Sequence, residues 1–84
     1  MNEIYLTVHS LTNAQKMKKI LIRSGINARI VRPELKFSEK GCAYAILISE
    51  KMFAETMEVL ELNRVMPIRA FVKNEYGEVR EINL

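Results

Sequence analysis

Residues 3–9 alternate strictly, with Ile4, Leu6 and Val8 on one side and Tyr5, Thr7 and His9 on the other. That is the pattern of a strand with one buried face. The period then lengthens. Ala14, Met17, Ile20 and Leu21 recur at helical spacing, with Lys16, Lys19 and Arg23 outside them, and predict an amphipathic helix. Ser10 and Thr12 are both N-cap candidates, and Thr12 with Gln15 has capping-box spacing. Gly25 is the expected stop, because a left-handed residue after the C-cap suits glycine. Residues 27–32 predict a short second strand ended by Pro33, which has no N–H for a ladder. Residues 33–41 read as loop, and residues 42–48 are the most β-like run of the chain. Ser49 can cap a second helix over roughly 50–63, with Phe53, Met57 and Leu60 inward and Glu55, Glu58 and Glu61 in water. Pro67 opens a fourth strand from Ile68 to Lys73, Asn74 to Gly77 form a turn, and Val79 to Leu84 return as a fifth strand.

The order β-α-β-β-α-β plus a terminal strand predicts an α+β chain with the ferredoxin-like βαββαβ two-layer sandwich and an extra C-terminal strand, as one domain over residues 1–84. In that topology the first and third strands are central, antiparallel neighbours, and both helices cover one face. If Ala43, Ala45 and Leu47 face the helices, then Cys42, Tyr44, Ile46 and Ile48 join Tyr5, Thr7 and His9 on the opposite face. Such an apolar, aromatic surface predicts an interface, with Tyr5, Thr7, Tyr44 and Ile46 as its contacts and a homo-oligomer as its simplest product.

Composition narrows the classes. Apolar residues at 49% and charged residues at 27% are those of a folded domain rather than a disordered one. No apolar run reaches the roughly 20 residues of a membrane helix. The start, Met1 to Tyr5, carries no basic leader or long apolar stretch, and the chain has one cysteine, so the expected compartment is the reducing cytoplasm. The net charge of +3 is spread over both predicted helix and loop, and reads as solvated surface rather than a nucleic-acid patch. The stretch Lys40 to Leu47 partly follows an RNA-binding strand motif, and Tyr5 and Tyr44 could stack bases. However, Cys42 and Leu47 stand where aromatics are usual, so a nucleic-acid partner is not expected. No paired-cysteine or clustered-histidine metal site and no glycine-rich phosphate loop is present, and no cofactor is expected. The absence of a full catalytic set favours a carrier or binding protein over a stand-alone enzyme. A small-molecule-binding regulatory module of the ACT type, which shares this element order, is the alternative.

Cys42 is the chain's one distinctive chemical group. A lone cysteine forms no internal disulfide, so it is an inert core filler, a reactive thiol, or half of an intermolecular contact. The topology puts the start of the third strand beside the end of the first, and hence Cys42 near His9, Ser10 and the N-terminus of the first helix. A helix N-terminus and an imidazole both favour a thiolate, and Lys36 and Lys40 add positive charge. Ser38, Lys40 and Gly41 would form the loop supporting the thiol.

These residues carry a resemblance. Tyr5 to Ser10, Ala14, Leu21, Ser24 to Pro33, and Ser38 to Ala45 resemble a small bacterial family of selenium/sulfur carrier-like proteins, over residues 3 to 64. The match at the cysteine is Gly41-Cys42, where many members have the cysteine first. The part beyond Pro67 reads as an addition. The resemblance implies that Cys42 holds sulfur or selenium as a persulfide or selenosulfide, and that donor and acceptor proteins are the partners; the topology puts His9 and Ser10 in support of that thiol.

Overall fold

The structure is a computed structural model and describes residues 2–33 and 44–84. The expected loop, with Ser38, Lys40, Gly41 and Cys42, lies outside the described residues. Among the described residues eight elements follow one another: β1 (Glu3–Val8), α1 (Leu11–Arg23), β2 (Arg29–Val31), β3 (Tyr44–Ser49), a 3-10 turn (Glu50–Met52), α2 (Phe53–Leu62), β4 (Arg69–Lys73) and β5 (Val79–Ile82). The strands form one antiparallel sheet in the order β2-β3-β1-β4-β5. The chain is therefore α+β, and its order is compatible with a ferredoxin-like split βαβ arrangement carrying one more strand at the β4 edge.

The core follows from the β1 alternation. Ile4 stands beside Ile48 and Val72, and Leu6 beside Ile46 and Ala70. Both helices lie over this one face, through Ala14, Met17 and Leu21 of α1 and Leu60 of α2. Phe53 and Met57 pack around the cluster only partly buried, whereas Thr56 is fully enclosed. Glu55, Glu58 and Glu61 are exposed, as their spacing predicts.

The register corrects the expected face of β3. Val8 pairs with Tyr44, Leu6 with Ile46 and Ile4 with Ile48, while Thr7 pairs with Ala45 and Tyr5 with Leu47. Tyr44 and Ile46 therefore lie on the helix side, and Tyr5 and Thr7 on the other. The four residues do not make one contact surface, and the two tyrosines do not make one stacking platform. Nor is the far face bare, because Thr7 and Ala45, paired on its two inner strands, are each 0% exposed.

Both helices end in the same hydrogen-bonded device, with different residues at its tightest point. After α1, Ile26 N–H donates to Leu21 O at 2.9 Å and Gly25 N–H to Ile22 O at 3.0 Å. Gly25 has φ +81°, and Ile26 and Leu21 both join the core, completing a Schellman motif. After α2, Val65 N–H donates to Leu60 O and Arg64 N–H to Glu61 O, each at 3.0 Å. Here the left-handed residue is Arg64, at φ 56°. A side chain there meets the Cβ clash that glycine avoids. Arg64→Gly is expected to stabilise the chain by about 0.5–1 kcal/mol, after allowing for the greater freedom of glycine in the unfolded state. A urea midpoint at or below that of the parent would contradict this reading.

The β4–β5 turn is built by Asn74. Its Oδ1 accepts from the N–H groups of Tyr76 and Glu78, both at 2.9 Å, and Gly77 takes φ +83°. The hairpin is further tied by Arg69, whose Nε and second guanidinium nitrogen donate to the two carboxylate oxygens of Glu81 at 3.0 Å each.

Candidate functional site

One end of the sheet gathers the ends of β1 and β2 and the starts of β3, β4 and α1. Val8, the last residue of β1, pairs with Tyr44, the first of β3, and Val31, the last of β2, pairs with Ala45. Cys42 precedes Tyr44 by two residues in the chain. Its expected nearness to His9 and Ser10 lies outside the described residues. The register does set the residue that follows Val8, His9, next to the end of the sheet from which β3 starts.

His9 is exposed at the bend between β1 and α1. Ser10 is the N-cap, in an extended conformation (φ −137°, ψ 158°), and its Oγ accepts from Asn13 N–H at 3.1 Å. The backbone oxygen of Ser10 accepts the first helical bond, from Ala14 N–H at 3.0 Å. Ser10 rather than Thr12 therefore starts the helix, because its Oγ is the one that reaches an unpaired amide of the first turn. The first turn of α1 contains no acidic residue, so no carboxylate of its own offsets the partial positive charge at this end. Ser10→Ala is expected to cost about 1 kcal/mol of stability, read as a lower urea midpoint. An unchanged midpoint would remove Ser10 from this role.

A cation reaches the same end. The Arg32 guanidinium lies over the Tyr44 ring, 5.4 Å from its centroid, a cation–π contact. Tyr44 itself packs against the core. Sequence reading missed this contact and treated Arg32 as ordinary solvated charge. The signal was an antiparallel β2–β3 pair, but the length of chain between the two strands leaves the register unfixed in sequence. Only with Val31 opposite Ala45 does Arg32 fall level with Tyr44. On the other flank, Thr7 fastens β4 to this end. Its backbone oxygen accepts from Ile68 N–H at 2.9 Å, and its Oγ1 accepts from Arg69 N–H at 3.1 Å.

The arrangement joins a capped helix N-terminus, an exposed imidazole and a guanidinium at the point where β3 begins. All three favour negative charge nearby or can exchange protons with it. Among the described residues no helix is long and apolar enough to cross a membrane.

In a comparison with known families, the family described as "Putative Se/S carrier protein-like" matches residues 3–73. The match runs past residue 64 and through the whole of β4, so β4 is not an addition to the family domain and only the turn and β5 lie beyond it. Neither a curated protein nor a solved structure gives a significant match.

Proposed function

The chain belongs to the Se/S carrier-like family, and from that membership we propose that Cys42 is the atom-carrying group of a sulfur or selenium carrier. The observation that carries the reading is that the matched span, residues 3–73, contains the only cysteine of the chain. A carrier of this kind needs one thiol, no resolving partner and a surrounding that tolerates an anion.

The chemistry requires no external oxidant. The Cys42 thiolate attacks the terminal sulfur of a donor persulfide. The donor's S–S bond breaks, its thiolate leaves, and the terminal sulfur stays on Cys42 with its proton. An acceptor nucleophile then attacks that sulfur, and the Cys42 thiolate is the leaving group. A selenosulfide exchanges in the same manner, with selenium as the atom attacked. His9 and Arg32, at the end of the sheet where β3 starts, support the reading as groups that ease the anionic forms of the cycle. Ser10 contributes by holding α1 at that end. The ferredoxin-like arrangement serves as the scaffold, donor and acceptor proteins are the partners, and the cytoplasm is the compartment suited to a free thiol.

Incubation of the full chain with a cysteine desulfurase and cysteine is expected to add one sulfur atom, located on the peptide containing Cys42. An absence of adduct, or an adduct elsewhere in the chain, overturns the proposal.

A further inference from the structure

A groove of about 670 Å³ opens at the other end of the sheet, where β1 starts and β3 ends. Its walls are the loop that follows α1, the start of β2 and the 3-10 turn after β3. The volume falls within the roughly 300–1,000 Å³ of small-molecule sites. It is distinct in place from the end at which β1 runs into α1, and nothing in the sulfur-carrier reading uses it.

Its lining divides by chemistry. Arg29 and Lys51 supply two positive charges, Glu3 supplies one negative charge, and Leu47, Ile48 and Met52 supply apolar surface. Arg29, Lys51 and Glu3 are all exposed, and among the described residues no ion pair engages any of them. Charges of both signs beside an apolar wall fit a ligand that carries both signs and an apolar body. A guanidinium takes a carboxylate in bidentate fashion, a carboxylate takes an ammonium, and the aliphatic side chains take the remainder.

We propose that this groove binds a free α-amino acid with an apolar side chain, its carboxylate on Arg29 and Lys51 and its ammonium on Glu3. The open mouth favours a small ligand over a cofactor, which would need more enclosure to bury most of its surface.

The test is titration of the full chain with L-leucine, followed by the amide resonances of the groove. Two analogues accompany it, 4-methylpentanoate without the ammonium and isoamylamine without the carboxylate. Leucine is expected to shift the resonances of Asn27, Arg29, Ser49 and Lys51 saturably, and each analogue is expected to bind at least about tenfold more weakly. Arg29→Gln and Glu3→Gln are each expected to weaken leucine by a similar factor while keeping the parent's melting temperature. The proposal is overturned if leucine leaves those resonances unmoved, if either analogue binds as well as leucine, or if both variants bind as the parent does. Sulfur loading at Cys42 is read by mass and does not depend on any of these outcomes.

Discussion

Replacement of Cys42 by serine is expected to abolish sulfur loading while leaving the urea midpoint of the chain close to that of the parent. The two halves of this expectation separate a reagent from a filler. A thiol that receives sulfur from a donor protein must be reachable, and substitutions at reachable positions usually change stability by no more than about 0.5 kcal/mol. A thiol serving as a small buried hydrophobe behaves in the opposite way. Serine in its place would bury a hydroxyl, at a cost of about 1–3 kcal/mol if it found no partner. Loss of loading with an intact midpoint supports the carrier. A large drop in the midpoint places Cys42 in the core. Because the chain has one cysteine, no second thiol can take over in the variant, and the loading measurement has a clean zero.

Leu6→Ala is expected to destabilise the fold by about 3 kcal/mol, within the usual range of about 2–5 kcal/mol for such truncations. Leu6 is 0% exposed and sits in the central strand between Ile46 and Ala70, in the core cluster that the two helices complete. The cavity has rigid walls, because β1 is hydrogen-bonded on both sides and its neighbours are themselves buried. For a chain of 84 residues the whole stability is roughly 4–13 kcal/mol, so this one truncation removes a large share of it. Leu62→Ala provides the contrast, since Leu62 is 77% exposed on α2, and is expected to stay within about 0.5 kcal/mol of the parent. Urea unfolding of both variants measures the difference, and a Leu6→Ala midpoint equal to that of Leu62→Ala would contradict the assigned core.

The sequence showed the elements better than it showed their faces. In β1, polar and apolar positions alternate, so the inward set Ile4, Leu6 and Val8 could be read directly. In β3 the run Tyr44 to Ile48 is apolar at every position, and alternation then has two equally acceptable phases. The small side chain of Ala45 suggested close packing under a helix, but Ala45 is paired with Thr7 on the opposite side. Only pairing with β1 fixes the phase, and pairing is a long-range property. The second helix shows a similar limit. Ser49 makes no side-chain cap bond. Instead the chain takes a 3-10 turn held from a distance, with Glu50 N–H donating to Asn2 O at 3.1 Å and the Asn2 side chain donating to Glu50 Oε1 at 3.0 Å. The α-helix proper begins at Phe53; of the expected inward set Leu60 is fully buried and Phe53 and Met57 pack against the core only partly buried, while Thr56, not expected, is the other fully buried residue. At the candidate site, Ser10 was legible as a cap because its role is local. The Arg32–Tyr44 contact was not, because it depends on the β2–β3 register.

The carrier reading stands or falls on both halves of a cycle, and one intact-mass time course follows both. The full chain is loaded with a cysteine desulfurase and cysteine, freed of them, and then given an acceptor thiol. The expected trace rises by one sulfur atom and returns to the starting mass as the acceptor gains that sulfur, with Cys42→Ser flat throughout. A mass that never rises, or a rise that persists in Cys42→Ser, contradicts the account.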